Sequence, residues 1–178
     1  VRQRDYALNE AEIREYFPVD SVRKGIFAMA NRLYGLTFEE LPDAPKYHPD
    51  VKVYDVKDEK GEHLAVFMTD YFTRPEKRQG AWMEELKTSW INADGSVERP
   101  IIYNVGNFAP PTADAPALLS IDDVQTMFHE FGHALHGMLS RARLKSQSGT
   151  SVDRDFVEFP SQFHEHWAFN PEMLNVYA

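Results

Sequence analysis

The stretch SIDDVQTMFHEFGHALHGM, residues 120–138, contains the pattern His-Glu-x-x-His. On a helix of 3.6 residues per turn, His129 and His133 lie about 40° apart and one turn along, so both imidazoles leave the same face. Glu130 lies about 100° from His129, beside that pair. Two imidazoles and a flanking carboxylate on one helix are typical of zinc hydrolases. The spacing therefore predicts a metal site with His129 and His133 as ligands and Glu130 as general base.

The residues around this motif have the pattern of an amphipathic helix. Ser120 and Asp123 form a potential capping box at its start. We predict a helix over residues 120–140, with a polar front at the metal and an apolar back against a core. Gly132 and Gly137 are expected to allow close approach of another segment. The apolar residues that recur at helical spacing opposite the histidines are Val124, Met127, Phe131, Leu135 and Met138.

Composition restricts the class of protein. The chain has 178 residues, 43% of them hydrophobic, and a formal net charge of −9. This length fits one domain or slightly more. We expect neither a nucleic-acid nor a membrane partner, because no basic stripe and no membrane-length apolar run is present. The N-terminal residues lack a signal-peptide pattern, which favours the cytoplasm, with the periplasm as the alternative. Without cysteine, histidine and carboxylate must bind the metal.

The first fifty residues have helical and loop patterns. Asn9 is a potential cap for a short helix that ends before Pro18. Asp20 is a potential cap for a second helix, which Gly35 ends. Residues 37–49 contain three prolines and are predicted to form a loop.

The pattern then changes to that of strands. Residues 51–56 and 64–68 flank a turn and predict a β-hairpin, and residues 101–105 predict a further strand. Residues 81–91 fit either a strand or a helix. We therefore predict an α+β fold that is mainly helical and has one small antiparallel sheet.

A catalytic zinc ion needs a third protein ligand and an open position for water. Pro160 predicts either a helix start nearby or a kink, and the two glutamates of this segment share a face if it is helical. Spacing alone leaves the choice of ligand open. Gln125 and Asp155 are candidates for residues that orient the imidazoles without binding the metal themselves. The segment 153–167 offers four candidate ligands: Glu158, His164, Glu165 and His166.

Three longer motifs carry a family resemblance. Residues 129–136 read His-Glu-Phe-Gly-His-Ala-Leu-His, residues 154–162 read Arg-Asp-Phe-Val-Glu-Phe-Pro-Ser-Gln, and residues 107–114 read Asn-Phe-Ala-Pro-Pro-Thr-Ala-Asp. They resemble the zinc oligopeptidase family of thimet oligopeptidase, neurolysin and peptidyl-dipeptidase Dcp. Within that family the motifs look most like the peptidyl-dipeptidase branch. The resemblance is specific from about Tyr47 to Trp167.

The resemblance implies a zincin-like arrangement of metal-site helices with one Zn²⁺ per chain. It implies that His129, His133 and Glu158 are the ligands and that Glu130 is the catalytic base. Short peptides are the implied substrates, and release of C-terminal dipeptides is the first expectation. A thimet-type oligo-endopeptidase and a catalytically incomplete zinc-binding domain are the alternatives. The resemblance also implies a substrate-side strand at residues 101–107.

Members of that family are much longer, so we interpret residues 1–178 as the catalytic segment of a larger metallopeptidase. Its predicted parts are a helical region at 1–46, a small β-sheet region at 47–108 and the zinc-site helices at 118–178. For this chain alone we expect little or no activity, together with self-association through exposed apolar surface. The aromatic residues expected to form that surface are Phe156, Phe159, Phe163, Trp167 and Phe169.

Overall fold

The computed structural model describes residues 9–178, so the first eight residues of the region predicted as helical lie outside the described residues. The presence of both helices and a sheet confirms the predicted α+β class. The helices are α1 (Glu10–Arg14), α2 (Val19–Tyr34), α3 (Ile121–Met138), α4 (Glu158–Ala168) and α5 (Pro171–Tyr177), with a 3₁₀ turn at Lys145–Gln147. The strands are β1 (Thr37–Glu40), β2 (Lys52–Lys57), β3 (His63–Phe72), β4 (Trp82–Lys87), β5 (Trp90–Ile91), β6 (Val97–Glu98) and β7 (Ile101–Phe108).

Five of these strands form one mixed sheet in the order β1-β2-β3-β7-β4. Strands β2 and β3 form the predicted hairpin, but β3 pairs parallel with β7, so the prediction of an antiparallel sheet is wrong for this pair. The reason lies in the connection between them. Parallel neighbours need a long crossover, and here the chain passes through β4, β5 and β6 before it returns as β7. Strand β4 pairs antiparallel with the other side of β7.

Two segments differ from the expectation drawn from their sequence. Residues 37–49, predicted to form a loop, begin with β1, which pairs with β2 at one edge of the sheet. The region predicted as helical, 1–46, therefore also contributes a strand. The ambiguous residues 81–91 form β4 and β5. Short edge strands have few buried residues and often carry charged ones, so the alternation of apolar and polar residues that would predict a strand is weak.

The main core lies between the sheet and the two long helices. Phe131 of α3 meets Phe67 of β3 edge to face, with ring centroids 5.4 Å apart. Phe27 of α2 stacks on Phe38 of β1 at 4.1 Å. All five apolar residues predicted to form the back of α3 are buried, which confirms that pattern. Between residues 9 and 178, no helix has the length and apolarity needed to cross a membrane.

The helix ends show where local signals hold and where tertiary pairing overrides them. Ser120 caps α3 in a capping box with Asp123, as predicted. Gly35 ends α2 with a φ of 69°, also as predicted. Asp20 does not cap α2, because this helix begins earlier, after Pro18. An isolated β-bridge joins Pro18, the residue before α2, to Leu118 in the segment before α3.

Helices α3 and α4 cross closely at Gly132. A Cβ atom built on Gly132 would lie 2.7 Å from the Ser161 Cα and 2.9 Å from the Pro160 carbonyl oxygen. A Cβ atom on Gly137 would lie 2.8 Å from the Ile102 Cδ1 in β7. Both glycines therefore allow close approach of another segment, as expected. Pro160 lies in the first turn of α4, where proline is tolerated, so it marks a helix start and not a kink.

Four of the five aromatic residues expected at the surface are exposed: Phe156, Phe159, Phe163 and Phe169. Three of them form a row of stacked rings, with centroids 5.6 Å and 6.5 Å apart. Trp167 instead packs against the main core. Self-association through this surface stays a prediction.

We expect the substitution Gly132→Ala to destabilise the chain by about 1–3 kcal/mol, because the added methyl group overpacks the α3–α4 crossing. Alanine is intrinsically the better helix former by about 1 kcal/mol, so the expected sign opposes helix propensity. Thr126→Ala on the same helix is the matched control. Urea unfolding followed by circular dichroism measures both variants. An unchanged or raised free energy of unfolding for Gly132→Ala would show that the crossing is looser than described.

Candidate metal centre

The two histidines of the motif lie on one face of α3, one turn apart, as the spacing predicts. Their ring centroids are 4.9 Å apart, and the rings are nearly perpendicular. The Nε2 atoms of both imidazoles point to the same oxygen of Glu158, at 3.2 Å from His129 and 3.1 Å from His133. Burial lowers the pKa of His133, which favours the neutral, metal-binding form of the ring.

Glu158 is the first residue of α4 and is half exposed. Its side chain accepts a hydrogen bond from the Ser161 hydroxyl, which lies one turn further along the helix. This bond is the main cause that lowers the pKa of Glu158, and the neighbouring His133 and His129 act in the same direction. The carboxylate is therefore held in its charged form, which is the form that binds a cation.

Two of the separations among the three donors are close to those of a zinc site. Four ligands at about 2.0–2.1 Å around a tetrahedral ion lie about 3.3–3.4 Å from one another. The two measured separations from the Glu158 oxygen are close to this value. Across the described part of the chain, His129, His133 and Glu158 form the one group of this kind, with donor atoms within 4.8 Å of one another. Two imidazoles and one carboxylate are also a common ligand set of catalytic zinc.

Glu165 lies on the other side of the same imidazole. The His129 Nδ1 atom donates a hydrogen bond to Glu165 Oε1 at 2.5 Å, and Gln125 Nε2 donates to Glu165 Oε2 at 2.7 Å. Because Nδ1 and Nε2 point away from each other on the ring, a metal at Nε2 is out of reach of Glu165. The expectation that Gln125 supports an imidazole therefore holds only indirectly, through this carboxylate.

The other sequence candidates lie apart from the three donors. Both nitrogens of the buried His164 are already bonded, Nε2 to the Tyr34 hydroxyl and Nδ1 to the Pro160 carbonyl. His166 is exposed and lines a separate surface cleft. Asp155 is exposed and makes no hydrogen bond to either imidazole among residues 9–178. These three residues do not join the candidate site.

Glu130 lies beside the donors and is largely buried, with 8% of its surface exposed. Burial is the main cause that raises its pKa to about 7, and the charge of Glu158 adds to this. Met83 of β4 lines the same cleft as Glu130, and its backbone N–H acts on this pKa in the opposite direction. A carboxyl group with a pKa near neutrality is suited to accept a proton and later return it.

The strand beside this cleft is β4 and not β7. Ala81, Trp82 and Met83 line a cleft of about 380 Å³ together with the two metal-site histidines, Glu130 and Glu158. Strand β7 has β3 on one side and β4 on the other, so its backbone has no free edge for another strand. Residues 101–105, part of the predicted substrate-side strand at 101–107, are therefore paired on both sides and offer no free strand edge. Within the described residues, β4 is the edge strand at this end of the sheet.

The model of Peptidase family M3 matches residues 1–178. The chain belongs to peptidase family M3. This membership confirms the family resemblance found in the motifs.

Individual members of family M3 are similar over the whole chain. The dipeptidyl carboxypeptidases of Salmonella typhimurium and Escherichia coli are 48% and 47% identical to it, over 100% of the chain and 26% of their own length. Oligopeptidase A of Escherichia coli is 41% identical over 97% of the chain and 26% of its own length. The chain thus spans about a quarter of the length of these relatives.

Two features of this M3 chain were not found from its sequence. The first is Ser161, whose hydroxyl donates a hydrogen bond to the Glu158 carboxylate. Ser161 follows Glu158 by three positions, which is a helical contact spacing, so a helix assumed to start at Glu158 would have predicted this bond. The contact of β4 with Glu130 has no local signal, because Met83 and Glu130 are 47 positions apart (130 − 83).

We expect Glu165→Ala to weaken zinc binding by about 10- to 100-fold, as the loss of an outer carboxylate does. We expect Glu158→Ala to weaken it more, because a direct ligand is removed. Competition against a chromophoric chelator measures both affinities, and His166→Ala is the control. A larger loss for Glu165→Ala than for Glu158→Ala would contradict the ligand set.

Proposed function

We propose that this chain carries the metal site and general base of a zinc metallopeptidase. The observation that supports this most strongly is the convergence of His129, His133 and Glu158 from two helices, with donor spacing that suits Zn²⁺. Membership of peptidase family M3 supports the reaction class. The position of Glu130 beside these donors supplies a base where a hydrolytic water would bind.

The proposed mechanism assigns one role to each part of the site. A zinc ion bound by the three residues would polarise the scissile carbonyl and lower the pKa of its water. Glu130 accepts a proton from the attacking water and delivers it to the leaving amine. Its burial keeps the pKa high enough for both steps. Glu165 holds the His129 ring by its Nδ1–H, which leaves the Nε2 lone pair for the metal.

The proposed substrates are short peptides in an extended conformation. The free side of β4 borders the cleft and offers backbone groups, which would bind a peptide as an added strand with little sequence specificity. Two relatives at 48% and 47% identity are named dipeptidyl carboxypeptidase, which favours release of C-terminal dipeptides. The similarity to oligopeptidase A makes an oligo-endopeptidase the second candidate.

The proposal concerns the whole parent protein, of which this chain supplies one part. The carboxylate of Glu158 is half exposed, and a row of phenylalanines beside it is exposed as well. Catalysis at a metal site depends on fixed charges in a cleft from which water is excluded, and charges that are accessible to water stabilise a transition state less. We therefore propose that this chain alone binds zinc but hydrolyses peptides slowly or not at all.

We expect Glu130→Gln in the full-length parent to retain zinc and to lose hydrolysis. The amide has nearly the shape of the carboxylate but cannot accept the water proton, and general-base catalysis contributes about 10²–10⁴-fold. Turnover of an internally quenched peptide and the zinc content measure the two effects. Glu59→Gln, an exposed carboxylate in the turn between β2 and β3, is the control. Near-normal turnover of Glu130→Gln with bound zinc would rule out the assigned base.

We expect the full-length parent to release dipeptides from the C-terminus of a peptide of about ten residues. Mass spectrometry of the products over time would then show successive losses of two residues. A peptide with an amidated C-terminus is the control, because it lacks the free carboxylate that an exopeptidase recognises. Internal cuts at varied distances from the C-terminus would favour the oligo-endopeptidase instead.

A further inference from the structure

A cluster of buried charges lies at the end of β3, away from the metal donors. The carboxylate of Asp70 accepts two hydrogen bonds from Arg74, both of 2.8 Å, one from Lys77 at 3.0 Å and one from the Tyr47 hydroxyl at 2.9 Å. The side chains of Asp70 and Lys77 are only 2% and 3% exposed. We refer to Asp70, Arg74, Lys77 and Tyr47 as the Asp70 cluster. The proposed mechanism uses none of these residues.

The Asp70 cluster ties a surface connection to the sheet. Lys77 lies in the middle of the connection 73–81 between β3 and β4. Its ammonium group also donates to the carbonyl oxygens of Asp70 and Phe72, at 2.7 Å and 2.8 Å, so all three protons have acceptors. A buried ion pair adds little stability relative to apolar residues of similar size, because both charges lose their water. The cluster therefore contributes mainly a defined conformation of this connection.

A second contact holds the far end of the same connection. The Asn107 side chain in β7 donates hydrogen bonds to the carbonyl oxygens of Arg78 and Gly80, at 2.9 Å and 2.7 Å. The connection is thus attached to β3 at Lys77 and to β7 at its last residues. Without these contacts, a connection of nine residues with no strand or helix of its own would hold the start of β4 less firmly.

The residues that follow this connection are those that meet the metal site. Ala81, Trp82 and Met83 line the cleft together with Glu130. Strand β4 has a sheet partner on one side only within the described residues, so the connection supplies a second restraint on its start besides the pairing with β7. A displacement there would move the peptide-binding edge relative to Glu130 without moving the metal donors, which lie on α3 and α4.

We propose that Asp70, Lys77 and Asn107 are positioning residues that hold the start of β4 against the metal cleft and thereby align an extended peptide substrate. This inference rests on the proposed peptidase function. Loss of either contact weakens peptide binding and leaves the affinity for zinc in place, because the metal ligands belong to other elements.

The test uses two variants of the full-length parent. The double variant Asp70→Asn with Lys77→Met removes both buried charges together, so that neither is left without its counterion. Asn107→Ala releases the other end of the connection without any change in charge. Lys57→Met is the matched control, because Lys57 forms an ion pair on β2, three strands away from β4. Circular dichroism and thermal unfolding establish that each variant is folded.

In both folded variants we expect the KM for an internally quenched peptide to rise about tenfold, with a smaller change in kcat. Zinc affinity and inhibition by acetohydroxamate, a small ligand that needs only the metal, stay within about twofold of the unsubstituted parent. Hydrogen exchange of the β4 amides becomes faster. The Lys57→Met control shows none of these changes.

An unchanged KM together with unchanged exchange in both folded variants would overturn the inference. A loss of zinc affinity that parallels the rise in KM would overturn it too, because the contacts would then support the metal site and not the strand. If the unsubstituted parent shows no zinc-dependent hydrolysis, the proposed function fails, and the exchange of the β4 amides still decides whether these residues position the strand.

Discussion

The close crossing of α3 and α4 at Gly132 is the contact on which the candidate site depends. The first helix carries two imidazoles on one face, and the second carries the carboxylate at its first residue. Only the absence of a side chain at Gly132 lets the Ser161 backbone approach closely enough for Glu158 to reach both Nε2 atoms. The metal donors are thus held by backbone packing between two helices and not by a loop, which limits their freedom before any ion binds.

Burial separates the roles of the three glutamates around His129. Glu130 is buried, and its pKa is raised to about 7, as a proton acceptor and donor requires. Glu158 is exposed, and Ser161 and the imidazoles lower its pKa, as a ligand for a cation requires. Glu165 bonds to the opposite nitrogen of the same ring and fixes its tautomer. In the proposed mechanism, glutamate therefore has three different roles, and the surroundings of each side chain suit it to one of them.

The sheet contributes the other wall of the cleft through its edge. Because β7 is paired on both sides, the strand that borders Glu130 is β4, which follows a connection held by a buried lysine and an asparagine. The candidate metal donors and the edge strand that we propose to bind the peptide thus belong to separate secondary-structure elements. They meet at the cleft, which Met83 of β4 and Glu130 of α3 both line.

The sequence by itself determined the features that depend on neighbours within one or two helical turns. These are the amphipathic α3, its capping box at Ser120, the shared face of His129 and His133, and the hairpin of β2 and β3. Such features follow from the 3.6- and 2-residue periods and from turn chemistry. Among the four candidates for the third donor, spacing left the choice open, and the family motif favoured Glu158. Only the tertiary structure placed that carboxylate beside the imidazoles, paired β3 parallel with β7, and brought β4 to the cleft. These contacts join residues that are far apart in the chain. The local periodicity of a sequence predicts a strand or a helix face but does not specify the partner against which it packs.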